Sequence, residues 1–448
     1  MRWRFREGRR INLPRTATAG KASGRAEEAN GSMQASGAQD GPSSRGRLAS
    51  IDAFRGFTIF LMVLVIAVAG YPRLPHEMSW FGSLPVSTWK HADTGWETFV
   101  ERKKAEGLSL AQIERLPEAA RKKVGCTLTD LVAPFFVFIV GVCIPLSRSR
   151  RGAQWWRHVL TRTAGLIAAG VLYISLVLGL SWWWGILQAI GVAYLMGAAS
   201  LKLSGRWRWA AVPAVLLLHA LMSRFTGWWL GFGDTPEPFW TIANPLGDPL
   251  KPLRVHCLPW VSISYGAIAM TGVLLGEAVA TGDHLRVVRR GLLLGLLCAG
   301  AGLAVHQAGL ATGQYDLCFN KPDVTASYAL FTSGVAALTF LAFHWVVDVR
   351  GLRGWTAPLN VLGANALLAY FMQVIMRLAF RALGIEPFFR AAPDGSVRMW
   401  AGLWDSPLWQ RFLLDRSGYT GLLWGLIWTG CLWLIVRWCN RRGIFWKL

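Results

Sequence analysis

GCTLTDLVAPFFVFIVGVCIPLSRSRRG, residues 125–152, decides how this chain folds. From Leu131 to Leu146 it carries no charged side chain. A helix of that length nearly spans a hydrocarbon layer of about 30 Å, at 1.5 Å of rise per residue. One end holds Asp130 and the other Arg148, Arg150 and Arg151. Basic residues collect on the cytoplasmic side of membrane helices, so the arginines orient the segment with Asp130 at its outer end.

Working outward, the same pattern repeats. Of 448 residues, 53% are hydrophobic and only 16% charged, against about a quarter charged in soluble proteins. Apolar segments run 52–71, 128–147, 158–179, 183–201, 209–224, 258–279, 291–308, 326–347, 357–378 and 417–437. These predict an all-α, polytopic bundle of about ten transmembrane helices. Arg157, Lys202, Arg206, Arg208, Arg286, Arg289, Arg290, Arg350, Arg353, Arg441, Arg442 and Lys447 all fall on the side of Arg148. Both termini are therefore expected in the cytoplasm of an integral membrane protein, with the opposite side exoplasmic, which is periplasmic in a bacterium. The formal charge of +22 fits this topology, and no basic-aromatic nucleic-acid module is present.

Residues 1–46 are polar and rich in Gly, Ser, Ala and Arg, and read as a disordered basic tail. Residues 47–448 form the transmembrane domain. Its long outer loops are 72–127, 225–257, 309–325 and 379–416. The first mixes acids and bases and is expected to hold a helical insertion at about 98–123. There Ser109 and Gln112 have capping-box spacing, and Pro117 suits the first turn of a second short helix. Cys126, Cys257 and Cys318 fall in outer loops, where one disulfide is open to any pair of them. No C-x-x-C occurs, so no metal site is expected.

Ionisable residues at membrane depth are the candidates for chemistry. Asp52 and Arg55 share a helical face as an edge ion pair or an anion site. Asp130 needs the helix dipole, a cation or an imidazole to offset its burial. An imidazole from the preceding loop would form a base held by an acid. Of eight histidines, His76, His91 and His256 are on the outer side. His158 and His284 read as solvated, and His219, His306 and His344 as packed helix residues.

Three stretches together resemble the heparan-α-glucosaminide N-acetyltransferase family: DAFRG at 52–56, WKHA with GCTLTDLVAPFFVFIVG, and NKPDVTASYALFTSGVAALTFLAFHWVVDVRG at 320–351. Weaker echoes are GILQAIGVAYL, with Gln188, and NVLGANALLAY, with Asn365. The resemblance implies a transmembrane acetyltransferase that takes acetyl-CoA from the cytoplasm and acetylates an amino sugar or other glycan on the far side. It implies His91 as the catalytic histidine, with His76 as fallback, and Asp130 as its partner. Arg55 and Arg148 are candidates for the donor's phosphates, Gln188 and Asn365 for other donor contacts, and Trp89, Asn320 and Lys321 for the acceptor side. Asn320, Lys321 or Asn365 would supply an oxyanion donor. Trp80, Trp89 and Trp96 are a sugar platform or an interfacial belt. The partners implied are the lipid bilayer, the glycan and a second copy of the chain.

Two departures stand out. Ile66 occupies a place where the family often has Asn, and Ala189 one where it often has Arg. They keep an inactive scaffold of the same fold in view. A transporter without chemistry is the other alternative, although the chain shows no clear internal repeat.

Overall fold

In the computed structural model the described residues are 48–69, 99, 102–109, 112–113, 124–178, 184–226, 259–382, 388–391, 397–400 and 419–446. The chain divides into Met1–Leu48 and Ala49–Leu448, and the bundle belongs to the second unit. Its helices are α1 (Ala49–Ala69), α2 (Leu128–Arg151), α3 (Trp155–Leu178), α4 (Ile186–Ser200), α5 (Gly205–Thr226), α6 (Val261–Thr281), α7 (His284–Thr312), α8 (Ala326–His344), α9 (Ala357–Ala364), α10 (Ala366–Ala382) and α11 (Tyr419–Arg441). A π-helical turn, Trp345–Val349, extends α8.

Each of the ten apolar segments is helical in part or whole. Among the described residues, six helices are long and apolar enough to cross a membrane, or seven if α9 and α10 count as one broken span. Helix α4 has the composition but only 15 residues. The segment 357–378, read as one straight span, departs most from expectation. It breaks at Asn365, and its halves diverge by 72°. Asn365 leaves helical geometry there, at φ −135° and ψ 47°. Its side chain joins three groups of the C-terminal tail. Its Nδ2 donates to Asn440 Oδ1 (3.1 Å) and to the Ile444 carbonyl (2.9 Å), and its Oδ1 accepts from the Trp446 N–H (3.0 Å). Within 379–416 lies a short antiparallel hairpin that the outer-loop expectation did not include. It pairs β1 (Phe388–Ala391) with β2 (Val397–Trp400), in register Phe388 with Trp400.

Helix α6 is the centre of the bundle. Of its apolar window 83% is buried, against 28% for α3 and for α7, which present leucines outward. In lipid, association gains little from hiding apolar surface, so helices must pack closely instead. Glycine permits this between α2 and α6. A Cβ at Gly272 would stand 2.2 Å from the Phe138 carbonyl oxygen, and one at Gly141 would stand 2.1 Å from that of Ala269. Helix α1 is held on another side by Phe54. Its ring meets Phe135 of α2 at 5.7 Å, and Phe340 and Phe343 of α8 edge-on at 5.8 and 5.6 Å. Such pairs contribute about 0.5–1.5 kcal/mol each beyond burial. A further core joins α1, α10 and α11 through Ile59, Val63, Ala369, Met376, Trp428 and Leu432.

Within 98–123, the expected capping box is present. The Ser109 N–H donates to Gln112 Oε1 (2.8 Å), and the Gln112 N–H donates back to Ser109 Oγ (3.4 Å). The helix expected at Pro117 lies outside the described residues.

The α2–α6 contact yields a paired test. Gly272→Ala forces the backbones apart and should cost about 1–3 kcal/mol, the usual scale of overpacking. Gly300→Ala on α7, where no described residue lies within 4 Å of the added Cβ, should hold or raise stability through helix propensity. Thermal midpoints in detergent check both, and equal midpoints for the two variants would contradict the packing argument.

Candidate active site

Asp130 sits in the first turn of α2 and is fully buried. Its Oδ2 accepts from the backbone N–H of Thr127 at 2.9 Å and from the Thr127 hydroxyl at 3.0 Å. Its Oδ1 lies 3.5 Å from Lys321 Nζ. Two of the three influences named from the sequence, the helix start and a cation, therefore act on this carboxylate. The Tyr328 hydroxyl of α8 donates to the Asp130 carbonyl. Cys126 stands beside this cluster, and burial, reinforced by the charge of Asp130, pushes its thiol well above the ordinary range. Such a thiol is a poor nucleophile.

Lys321 arrives on a loop, residues 318–325, that is rigid for identifiable reasons. The Gly125 N–H donates to the Phe319 carbonyl (2.7 Å), tying the loop to the approach of α2. His306 of α7 accepts from the Phe319 N–H at 3.0 Å, and its ring stacks on that of Phe319 at 4.0 Å. Thr325 Oγ1 accepts from the Asn320 N–H and donates to the Cys318 carbonyl, closing the loop on itself. Asn320, fully buried, turns its Oδ1 onto the N–H of Asp323 (3.0 Å). Val324 is held at φ 52°, a left-handed conformation that is rare for a β-branched side chain. Strain of this kind, about 1–3 kcal/mol, concentrates at functional sites.

The loop's other anchor was not foreseen. Asp323 accepts from the Ser223 hydroxyl of α5 at 2.6 Å, and its second oxygen lies 3.7 Å from His219 Nε2. His219, expected as a packed helix residue, is packed but also faces a buried acid. Burial pushes the Asp323 carboxyl up to about 7. Asp323 stands in the NKPDVT stretch but was not singled out there, and its Ser223 partner lies 100 residues away and leaves no local signal.

The structure brings Asp130, Lys321 and Asn320 to one end of the bundle. His91, His76 and Trp89 lie outside the described residues, as do Trp80, Trp96, Cys257 and His256. Cys126 and Cys318 are both free thiols, so the disulfide between that pair is not formed. The donor candidates stand elsewhere. Arg55 Nη2 donates to Asp52 Oδ1 (3.1 Å), the edge ion pair expected from their spacing. Arg148 Nη1 donates to the Leu201 carbonyl (3.2 Å), and its guanidinium lies over the Trp155 ring at 5.6 Å. Arg148 also lines a cavity of about 530 Å³ with Ser149, Gly152, Leu201 and Glu277. Gln188 is buried at the start of α4, where its Oε1 accepts from the Gly185 N–H at 3.1 Å. Asn365 holds the C-terminal tail at the break between α9 and α10. Near the Arg-rich end, residues that look unrelated in sequence form a further hydrogen-bonded chain. His344 joins Asp348 (3.0 Å) and His284 (3.1 Å), and Asp348 accepts from the Ser50 N–H.

The Asp323 environment sets a pH dependence of stability. Its carboxyl sits near 7 in the fold and near 3.8 when exposed. As pH rises from about 4 to 7, the unfolded chain releases this proton before the folded one does, and the native state loses ground. Asp323→Asn keeps the shape and removes the titration. The variant's thermal midpoint should match the wild type near pH 4 and rise progressively above it up to pH 7. Parallel curves would show that this carboxyl does not titrate as described.

Residues 108–294 match the family model described as "Heparan-alpha-glucosaminide N-acetyltransferase, catalytic". The matched stretch contains Asp130, Arg148 and Gln188, and ends before the loop that carries Lys321. No curated protein matches the chain. Over that stretch the chain is similar to the heparan-alpha-glucosaminide N-acetyltransferase family.

Proposed function

We propose that the protein is a transmembrane acetyltransferase, moving acetyl from acetyl-CoA on the Arg-rich side to an amino sugar or other glycan on the side of Asp130. The bundle would cross the membrane about ten times, with both termini cytoplasmic in a bacterial inner membrane, and a second copy is the expected partner. The observation that carries this reading is the family match across a stretch holding the buried, structurally constrained Asp130.

The donor is large and anionic and does not cross a bilayer. The Arg-rich end suits its phosphates, where Arg55 and Arg148 are the candidate clamps. The cavity beside Arg148 supports that assignment for Arg148. Gln188 and Asn365 are kept as donor contacts, each in addition to the structural bonds it makes.

At the other end, Asp130 would orient His91 through a ring N–H, leaving the second nitrogen as a base or nucleophile. In direct transfer, His91 takes a proton as the acceptor amine attacks the thioester carbonyl. The C–S bond breaks, and that proton passes to the departing thiolate. In the two-step route, the imidazole nitrogen forms the bond to the acetyl carbon, releases CoA thiol, and is displaced by the amine. Either route builds negative charge on the carbonyl oxygen. Lys321 is the candidate for stabilising it, with Asn320 bracing the loop that holds it. Trp89 is the candidate platform for the acceptor ring.

The test is release of CoA from acetyl-CoA by purified protein, with glucosamine as acceptor probe. His91→Ala should lower the rate by about 10²–10⁴, the usual contribution of a positioned base, with an unchanged thermal midpoint. Asp130→Asn, which preserves shape but not charge, should lower it as well. Undiminished turnover in His91→Ala would remove the histidine mechanism, and wild-type protein that neither binds nor cleaves acetyl-CoA would remove the enzyme assignment.

A further inference from the structure

Several Arg and Lys side chains at the basic end of the bundle lie over tryptophan rings. Three of these pairs lie at the ends of α8 and α11. Arg350 lies 4.5 Å above Trp345 on the π turn after α8. Arg437 lies 5.0 Å above Trp433, and Arg442 lies 5.6 Å above Trp438, both on α11 and its C-terminal extension. Helices α8 and α11 both meet the start of α9. The Phe343 ring meets Trp355 at 5.4 Å, and the Trp433 indole N–H donates to the Pro358 carbonyl at 2.9 Å. Trp345, Trp355 and Trp438 are each about half exposed, at 46%, 48% and 54%.

The charge carried by these two segments is one-sided. Residues 419–446 contain no acid, and between 345 and 361 the only acid is Asp348. That carboxylate is buried and bonded to His344 and the Ser50 N–H. The arginines therefore meet a ring face rather than a carboxylate. A guanidinium stacked on an indole keeps its in-plane N–H groups directed outward, in the fork that fits two oxygens of a phosphate. An indole half in solvent at a helix end is the usual anchor at headgroup level. Apolar support and phosphate-directed donors thus repeat along one rim.

We propose that this rim binds the phosphodiester headgroups of anionic phospholipids in the leaflet it faces. A zwitterionic headgroup offers the same phosphate but brings its own cation toward the arginines, so the rim should discriminate by net charge. Binding here lies apart from the cavity beside Arg148 and does not depend on the acetyl-transfer reading.

The test uses full-length protein in detergent with phosphatidylglycerol or phosphatidylcholine of identical acyl chains, counting retained lipids by native mass spectrometry. Wild-type protein should retain the glycerol lipid at least about tenfold better, and raising KCl to about 0.5 M should erase the preference without changing phosphatidylcholine retention. A triple variant, Arg350→Gln with Arg437→Gln and Arg442→Gln, should fall to the phosphatidylcholine level. Arg286→Gln, an exposed arginine at the start of α7, should keep the preference. Equal retention of the two lipids by wild type overturns the proposal. So does a salt-insensitive preference, which needs no variant to fold. Displacement of the lipid by millimolar inorganic phosphate would overturn it in favour of a soluble phosphate ester.

Discussion

A carboxylate cannot be buried at a helix start without partners, and the outer end of this bundle is organised around that constraint at Asp130. The isolated charge would be costly in a low-dielectric site. Thr127 and the first turn of α2 meet part of the cost, and Lys321 meets another part from a distant loop. To hold a lysine there, the loop must be stiff. Its stiffness comes from bonds to the approach of α2, to α7 through His306, to α5 through Ser223, and within itself through Thr325. One acid thus fixes the relative placement of several helices. Tyr328 of α8 adds a further restraint by reaching the carbonyl of the same residue.

Packing of the helices depends on a second constraint of equal generality. Lipid rewards contact rather than concealment, and glycines on α2 and α6 let two backbones touch. The central position of α6 follows, since only a helix approachable on several sides can be enclosed by the others. The outer helices keep leucines for the lipid. The two principles meet on α2, whose middle is a packing surface and whose first turn is a polar site.

Much of this was legible in the sequence. Uninterrupted apolar runs and flanking arginines identified the helical segments, because both signals are local. Asp130 was picked out because charge near membrane depth needs a reason, whereas Asn320 and Lys321 came with the family resemblance of their stretch. The Asp52–Arg55 pair and the Ser109–Gln112 box followed from spacing alone. Contact between remote segments left no such trace. His219 looked like any polar residue on an apolar helix until Asp323 was placed beside it. His344 and His284 looked unrelated until α7 and α8 were packed. The break at Asn365 was hidden for a different reason. Helix breaks are read from proline, and here the preceding Gly-Ala and the Asn carry no such mark. The bend coincides with the tail contacts that Asn365 makes.

That grip bears on how the molecule is assembled. The bent pair is synthesised well before Asn440, Ile444 and Trp446, so the groups that lock the bend are missing when α9 and α10 first enter the membrane. The locked geometry must await insertion of α11. Docking of residues 440–446 onto Asn365 therefore follows entry of α9 and α10 into the membrane. An insertion directly after Trp446 would burden that event more than one placed ahead of α1.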